Sequence, residues 1–323
     1  MEKMIRVLFI AVCFLLPMAD VHGQEYPSRP LEYVVGYPPG GVQDPQARGL
    51  CKAAEKYLGQ PISIVNKPGM SGELATTYLS NQKPDGYSIG QAAAGVFVQN
   101  PFFDKVSYKI DDFCYIIGFG FHLHGLSVRT DAPWNTLREF LDYAKNNPGK
   151  IKYATYSPVS TTHMVMDMIA KEEGIDWTHI PYKGDGVAIT PLLGGHLEAV
   201  AVASGQVPYI RSGKLKLLAI FNDCEFKEFS QVPTLRALGY KFPMLSNMTT
   251  YTGVVGPKGI KPGVLKKLQE AFTRATQDPI FVKVMESLST PIVYKTGKEF
   301  ETEVKNYYEI CEKVLPPIVA KMN

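Results

Sequence analysis

The glycine turn YPPGGVQDP, at residues 37–45, is the part of this chain best suited to chemistry. It follows an apolar run at residues 31–36 that predicts a buried strand, and it precedes an amphipathic run at residues 46–58 that predicts a helix. Backbone N–H groups at a helix start lack intrahelical partners and carry partial positive charge, so they favour an anion. Asp44 is predicted to cap this helix, and Pro45 suits its first turn. The turn therefore indicates that the protein holds a negatively charged ligand.

Ser157, His163 and Asp167 are a second set of residues whose types could do chemistry, in this case hydrolysis. His163 and Asp167 are four residues apart and therefore share one face of a predicted helix. However, the nucleophile motif G-x-S-x-G does not surround Ser157, which lies in the run TYSPV at residues 155–159. Because a catalytic triad is defined by its geometry and not by three residue types, we expect His163 to cap or pack near the helix start.

Metal binding is not predicted. His122 and His124 alternate on a strand-like segment and share one face, but the sequence identifies no further ligands for a metal ion. Cys13 lies near the N-terminus, and the other cysteines are far apart with no CxxC pair. Cys51 lies among apolar positions of the first helix, which predicts a buried free thiol. We therefore expect a surface histidine pair, no metal site and no cofactor.

The elements that must position these residues alternate between apolar strands, glycine or serine turns, and amphipathic helices. A second strand–turn–helix unit begins at residues 152–163, and a third turn, at residues 181–186, again joins a strand to a helix. This alternation predicts an α/β protein with mainly parallel sheets. Ligands in open α/β sheets lie beyond the carboxyl ends of strands, so we expect these turns to rim one crevice.

The first 23 residues have the features of a signal peptide. Lys3 and Arg6 are basic, the apolar run at residues 7–16 is too short to span a bilayer comfortably, and residues 21–23 suit a signal peptidase. An uncleaved anchor is the alternative. The leader holds two basic and two acidic residues, so the mature chain keeps the net charge of +3, which is too mild to indicate nucleic acid. We expect an exported, periplasmic protein.

Short motifs along the rest of the chain resemble one family in their order and spacing. They are YPSRP at 26–30, YPPGG at 37–41 with Asp44, LGQP at 58–61, NKPG at 66–69, PDGY at 84–87, NPGK at 147–150, PYKG at 181–184, LLGG at 192–195, SGKL at 212–215, VPT at 232–234 and GP at 256–257. In this respect the chain resembles the periplasmic solute-binding proteins of tripartite tricarboxylate transporters, the Bug-type family.

The resemblance implies an α/β protein with the two-lobed fold of periplasmic binding proteins, in which two crossovers join lobes that close like a Venus flytrap. The family commonly binds carboxylates, including di- and tricarboxylates, acidic amino acids and aromatic acids, and delivers them to a membrane permease. The implied division is a signal peptide at 1–23, a discontinuous first lobe at 24–124 and 250–323, a second lobe at 125–249, and crossovers near 121–125 and 245–251.

The same resemblance, together with the turns described above, predicts the ligand-binding residues. The backbone at residues 40–43 and the hydroxyls between residues 155 and 161 are expected to bind a carboxylate, and two tyrosines are expected to form walls against the ligand body. The full set is Tyr37, Gly40, Gly41, Val42, Gln43, Asp44, Ala93, Ala94, Thr155, Tyr156, Ser157, Ser160, Thr161, His163, Lys183, Asp185 and Ser204.

This sequence departs from the family pattern in three places. Bulky Tyr156 and stiff Pro158 replace a stretch rich in glycine and serine, residues 92–94 are all alanine where small polar residues are common, and Ala201 stands where an acidic residue is frequent. The pocket is therefore expected to be less polar than a citrate site. We expect a ligand with one or two carboxylates and an apolar or aromatic body.

The expected partners are a small organic carboxylate and the permease subunits of a tripartite tricarboxylate-type transporter, with no nucleic acid, and the protein is expected to be a monomer. Two alternatives stay open. One is an exported hydrolase that uses Ser157 and His163, and the other is a binding protein that feeds a membrane sensor instead of a permease. Sequence alone does not separate a permease from a sensor as the partner.

Overall fold

The structure is a computed structural model that describes residues 25–40, 42–103, 105–158, 160–224, 226–242, 245, 251–288, 290–316 and 319. The strands are β1 (Leu31–Val35), β2 (Ile62–Asn66), β3 (Ser88–Ala93), β4 (Phe113–Phe121), β5 (Gly125–Arg129), β6 (Lys152–Thr155), β7 (Thr178–Pro181), β8 (Ala199–Val202), β9 (Leu215–Ile220), β10 (Tyr251–Pro257) and β11 (Ile292–Thr296). The helices are α1 (Gln43–Leu58), α2 (Glu73–Ser80), α3 (Ala94–Phe103), α4 (Leu137–Asn146), α5 (Thr161–Glu173), α6 (Asp185–Leu193), α7 (Val207–Arg211), α8 (Pro262–Thr276), α9 (Pro279–Ser287) and α10 (Gly297–Val314).

The strands form two separate mixed sheets, one for each lobe. The first sheet has the order β11-β4-β10-β3-β1-β2, and the second has the order β7-β6-β8-β5-β9. The chain passes from the first sheet to the second between Phe121 and Gly125, and it returns before Tyr251. Most of the return segment lies outside the described residues. The fold is therefore the two-lobed α/β architecture with two crossovers that the sequence predicts.

The sheets are mixed, so the prediction of mainly parallel sheets is wrong. β1 pairs in parallel with β2 and β3, and β6 does so with β7 and β8. In contrast, β10 lies antiparallel to β3 and β4, and β5 lies antiparallel to β8 and β9. Only a strand–helix–strand unit requires parallel neighbours. β5 and β10 instead enter their sheets after a crossover from the other lobe. The local alternation of strands and helices does not reveal these crossovers.

The hydrophobic core of the first lobe lies between its sheet and helices α1 and α8. Tyr33, Leu50, Ile117 and Phe272 are fully buried there. A second cluster of buried residues is shared by the two lobes near the crossovers. From the first lobe it contains Phe97, Phe121, Tyr307 and Leu315, and from the second it contains Met164, Val207, Leu217 and Ile220.

The cysteines of the described residues are free thiols, in agreement with the absence of any paired motif. Cys51 on α1 is buried, as its apolar neighbours predict. The C-terminal helix α10 begins with a capping box, in which Thr296 accepts the N–H of Glu299 and the Glu299 carboxylate accepts the N–H of Thr296. This helix ends at Val314, two residues before Pro316.

Candidate ligand-binding cleft

The first candidate binding loop, residues 36–42, connects β1 to α1 and is held by a polar network. The amide of Asn66 donates to the carbonyl of Tyr37 at 2.9 Å and to Oδ1 of Asp44 at 3.0 Å. Oδ2 of Asp44 accepts the N–H of Gly40 at 3.1 Å and Nε of Arg48 at 2.9 Å. Gly40 has a φ of +81°, a conformation that favours glycine. These hydrogen bonds from its own lobe therefore hold the loop in place without a ligand.

The prediction that Asp44 caps α1 is wrong. The N-cap is Val42, which has helical backbone angles and makes no side-chain capping bond. Asp44 lies inside the first turn, where its carboxylate accepts the N–H of Gly40 and pairs with Arg48. Burial alone would raise the pKa of Asp44, but these partners and Asn66 outweigh burial and lower it. With no side-chain cap, the positive end of the α1 dipole is left available to an anion.

The second candidate loop, residues 156–160, connects β6 to α5, and buried hydrogen bonds hold both of its ends. The hydroxyl of Thr155 donates to the carbonyl of Ser157 at 2.8 Å. That hydroxyl has only one proton, so Nε2 of His179, 2.7 Å away, donates to it. At the other end Ser160 caps α5 and accepts the N–H of His163 at 3.2 Å. The backbone of this loop is therefore positioned by its own lobe.

Direct contacts join the start of α5 to the first lobe. Nε2 of Gln99 on α3 donates to the hydroxyl of Thr161 at 2.8 Å, and it also donates to the hydroxyl of Tyr307 on α10. A Cβ atom added to Gly95 would lie 3.6 Å from Oγ1 of Thr161. Because these residues belong to opposite lobes, the structure represents the lobes in contact with each other.

Tyr37, Tyr156 and Asp185 lie close together where the lobes meet. The negative charge of Asp185 acts on both tyrosine hydroxyls, although Tyr37 belongs to the first lobe. Burial, reinforced by this charge, raises the pKa of Tyr37 to about 12. Burial also raises the pKa of Asp185 to about 6, and hydrogen bonds from the amides of Gly205 and Ala203 offset only part of the effect. Three of the predicted site residues, one from the first lobe and two from the second, therefore interact electrostatically across the boundary between the lobes.

An apolar pocket opens beside Tyr37 in the first lobe, between the sheet and α2. Most of its lining is aliphatic or aromatic, and the polar exceptions include Gln91. Oε1 of Gln91 is buried and accepts no hydrogen bond. Ala93 lines this pocket together with Val34, Ala92, Phe97, Phe113 and Val255.

His163 is held by groups other than Ser157. Its Nδ1 lies 3.0 Å from the hydroxyl of Tyr153, and its Nε2 lies 3.6 Å from Oδ2 of Asp167. Its ring stacks on His179 with centroids 3.7 Å apart. Burial lowers the pKa of His163, against the opposing effect of Asp167. Since both ring nitrogens face other groups, neither is placed to accept the proton of Ser157.

The histidine pair at the first crossover is buried, so the prediction of a surface pair is wrong. His122 and His124 are 9% and 4% exposed. Burial lowers the pKa of His122 to about 4 and that of His124 to about 3, so both rings are neutral at ordinary pH. The hydrophobic cluster shared by the lobes covers this segment. The sequence around the two histidines does not reveal that cluster, because its residues come from distant parts of the chain. Among the described residues no three potential ligands come together as a metal site.

The remaining predicted residues are less closely grouped. Lys183 is exposed, and the buried hydroxyl of Ser204 accepts the N–H of Leu123 at 3.0 Å. Val42 and Gln43 are partly buried at the start of α1. Gly41 and the side chain of Ala94 lie outside the described residues.

Sequence reasoning missed two residues that contact the cleft, Gln99 and Tyr307. Both reach Thr161 from helices of the first lobe. Tyr307 lies near the C-terminal end of the chain on an amphipathic helix, where an aromatic residue is ordinarily part of the core. No local signal could have assigned it to the cleft, because its position depends on how α10 packs against the first lobe.

Two mixed α/β lobes joined by two crossovers are the architecture of periplasmic solute-binding proteins. Among the described residues no helix is long and apolar enough to cross a membrane. The model of the tripartite tricarboxylate transporter family receptor matches residues 46–308. The chain therefore belongs to this family, which confirms the resemblance seen in the sequence.

Individual relatives agree with this assignment. A UPF0065 protein of the gbd 5′ region in Cupriavidus necator is 35% identical over 302 residues, which are 92% of this chain and 90% of the relative. A TctC solute-binding protein from Polaromonas is 30% identical with a TM-score of 0.72, over 89% of this chain and 99% of that one. The periplasmic binding protein BugD is 27% identical with a TM-score of 0.76, over 89% of this chain and 97% of that one.

The same fold is shared by more distant structures that contain ligands. MatC from Rhodopseudomonas palustris, with bound malate, is 23% identical with a TM-score of 0.73, over 88% of this chain and all of that one. A second R. palustris protein, with adipate, is 20% identical with a TM-score of 0.77, over 90% of this chain and 98% of that one.

Proposed function

We propose that this protein captures a small organic carboxylate between its two lobes and delivers it to a membrane permease of the tripartite tricarboxylate type. The observation that carries the proposal is the meeting of loops from opposite lobes. Tyr37 from the first loop approaches Tyr156 and Asp185 of the second lobe, and Gln99 bonds to Thr161 across the cleft. Contacts made only by closed lobes stabilise the closed state, and a ligand enclosed there adds to them.

The proposed ligand carries a carboxylate on an apolar or aromatic body. The uncapped start of α1 offers backbone N–H groups to the carboxylate, and the start of α5 lies opposite. The body of the ligand is proposed to lie toward the apolar pocket beside Tyr37, which Ala92 and Ala93 line. The neighbours that contain malate and adipate accommodate dicarboxylates in the same fold. We propose that the site residues predicted from the sequence contact this ligand, because the loops that carry them meet at the cleft.

The geometry favours binding over catalysis. A hydrolase would need Ser157 hydrogen-bonded to a base, but the ring nitrogens of His163 face Tyr153 and Asp167. We therefore propose that the protein is not an enzyme. A membrane sensor stays the second candidate partner. The genes beside the gene for this protein would distinguish a permease from a sensor.

We further propose export to the periplasm with cleavage after residue 23, and action as a monomer. The proposed lobes are residues 24–124 with 250–323, and residues 125–249. The membership of the strands supports this division, because β1–β4, β10 and β11 share one sheet while β5–β9 share the other.

A thermal-shift screen with organic acids tests this function. Protein that has been unfolded and refolded, to remove any acid from the expression host, is heated with mono-, di- and tricarboxylates, sugars and metal salts. We expect at least one carboxylate at 100 times its Kd to stabilise the fold by about 2.7 kcal/mol, which raises the melting temperature by several degrees. A sugar or a cation that shifts the transition while every carboxylate fails would contradict the proposal.

A further inference from the structure

Asp185, at the start of α6, holds its carboxylate in one orientation. Oδ1 accepts the N–H of Ala203 at 3.3 Å, and Oδ2 accepts the N–H of Gly205 at 3.0 Å. Gly205 leaves room for this approach, since a Cβ atom there would lie 2.4 Å from Cβ of Asp185. The carboxylate is therefore built into the lobe, and each oxygen keeps a lone pair for another donor.

No side chain supplies a positive charge to this carboxylate. Two buried carboxylates of the described residues are each paired with a cation, Asp44 with Arg48 and Asp278 with Lys56. None of the ion pairs formed by the described residues includes Asp185. Lys183, two residues earlier, is exposed. A carboxylate partly removed from water without a counter-charge is unfavourable, and the raised pKa of Asp185 is the consequence.

The surroundings of Asp185 suit a cation that enters from the cleft. Tyr37 approaches from the first lobe and Tyr156 from the second, and the charge of Asp185 acts on the hydroxyls of both. The two hydroxyl oxygens can accept hydrogen bonds from a charged donor, and a partly desolvated carboxylate adds a direct charge. The carboxylate group of a ligand is repelled at this point, whereas a positively charged nitrogen is attracted.

We propose that Asp185 is a cation-binding residue of the cleft, and that the ligand carries a positively charged nitrogen as well as its carboxylate. This inference rests on the proposed function, since the start of α1 is taken to hold the carboxylate end. The ammonium group of the ligand would donate to the free lone pairs of Asp185 between the two tyrosines. Because the backbone amides of Ala203 and Gly205 already fix the acceptor, little ordering is needed on binding.

Calorimetric titration with pairs of acids that differ only in an amino group tests the proposal. The probes are L-glutamate against glutarate, L-2-aminoadipate against adipate, and L-phenylalanine against 3-phenylpropionate. For wild-type protein we expect the amino acid of at least one pair to bind at least about tenfold more tightly than its partner. In Asp185→Asn this ratio should fall to near one, because the amide no longer attracts the ammonium group.

Asp278→Asn is the matched control. Asp278 also lies at a helix start, accepts a backbone N–H and is buried, but it lies on the first lobe beside Lys56 and outside the cleft. The Asp278→Asn variant should be less stable than the wild type but keep the wild-type ratio of amino-acid to plain-acid affinity. This result would separate a role of Asp185 in ligand recognition from a role in stability alone. The wild-type titrations decide the matter even when Asp185→Asn does not fold. Equal or tighter binding of the plain acids, or failure of all three amino acids to bind, overturns this inference and leaves the proposed function to the thermal-shift screen.

Discussion

Ligand exchange is expected to slow by about 100-fold or more when a disulfide bond joins residues 95 and 161 in the double variant Gly95→Cys, Thr161→Cys. A Cβ atom at position 95 would lie 3.6 Å from Oγ1 of Thr161, the atom that Sγ replaces in Thr161→Cys, so a small shift brings the two sulfur atoms to the bonded distance of about 2.05 Å. The two positions belong to opposite lobes, so the bond removes the open state through which a ligand enters and leaves. The measurement is the rate of ligand association by stopped-flow fluorescence, with and without reductant.

The two single-cysteine variants serve as controls for this experiment. Neither can form the bond between the lobes, because Cys51 and Cys311 are buried and lie on other parts of the first lobe. Thr161→Cys also lacks a hydroxyl proposed to contact the ligand, so its exchange rate is the baseline against which the double variant is compared. Reductant should restore exchange in the double variant. Oxidised double variant, shown by mass spectrometry to contain the bond, that still binds at the wild-type rate would mean that the lobes need not separate.

Asp44→Asn is expected to lower the free energy of unfolding by about 2 kcal/mol and to weaken ligand binding. The carboxylate accepts hydrogen bonds from Gly40, Asn66 and Arg48, and an amide in its place would direct its own N–H groups at one or more of these donors. The loop that carries Tyr37 would then lose the network that positions it. Urea denaturation measures the first effect, and calorimetric titration with a carboxylate from the thermal-shift screen measures the second.

Arg48→Met is the contrasting variant for the same network. Arg48 is 53% exposed at its side chain, so removal of its ion pair should cost less than about 1 kcal/mol, and Asp44 keeps its other donors. A loss as large as that of Asp44→Asn would indicate that the ion pair, and not the loop network, carries the stability.

The pH dependence of Asp44→Asn follows from the direction of the pKa shift. The pKa of Asp44 in the folded protein lies below its ordinary value of 3.8, because the bonds from Arg48, Asn66 and Gly40 outweigh burial. A depressed folded pKa contributes stability that is complete well above 3.8 and is lost as the pH falls through the folded pKa. The stability difference between wild type and Asp44→Asn should therefore be constant near neutral pH and shrink below about pH 4.

The turn between β1 and α1 could be predicted from the sequence because its signals are local. An apolar strand, two glycines and an amphipathic helix within 28 residues, 31–58, leave little freedom in how the backbone turns. The order of the family motifs predicted the division into two lobes. The role of Asp44 was not predictable in the same way, because its partner Asn66 lies at the end of β2 and joins it only through the pairing of β1 with β2.

Contacts between lobes are the part of the site that sequence patterns did not reveal. Gln99 and Tyr307 reach Thr161 from α3 and α10, and more than 60 residues separate Thr161 from either of them along the chain. Likewise, the alternation of His122 and His124 correctly places them on one face but does not show that both lobes cover that face. Burial and pairing that arise only when distant segments meet leave no periodic signal in either segment.

The central claim is that the cleft holds a carboxylate, and calorimetry with a neutral analogue tests it most directly. Refolded protein is titrated with the acid that gives the largest thermal shift, and then with the primary amide and the methyl ester of that acid. We expect one acid molecule to bind per chain, and each neutral analogue to bind at least about 30-fold more weakly, since a charge-assisted hydrogen bond contributes roughly 2 kcal/mol or more. Equal affinity for the acid and its ester would contradict the account.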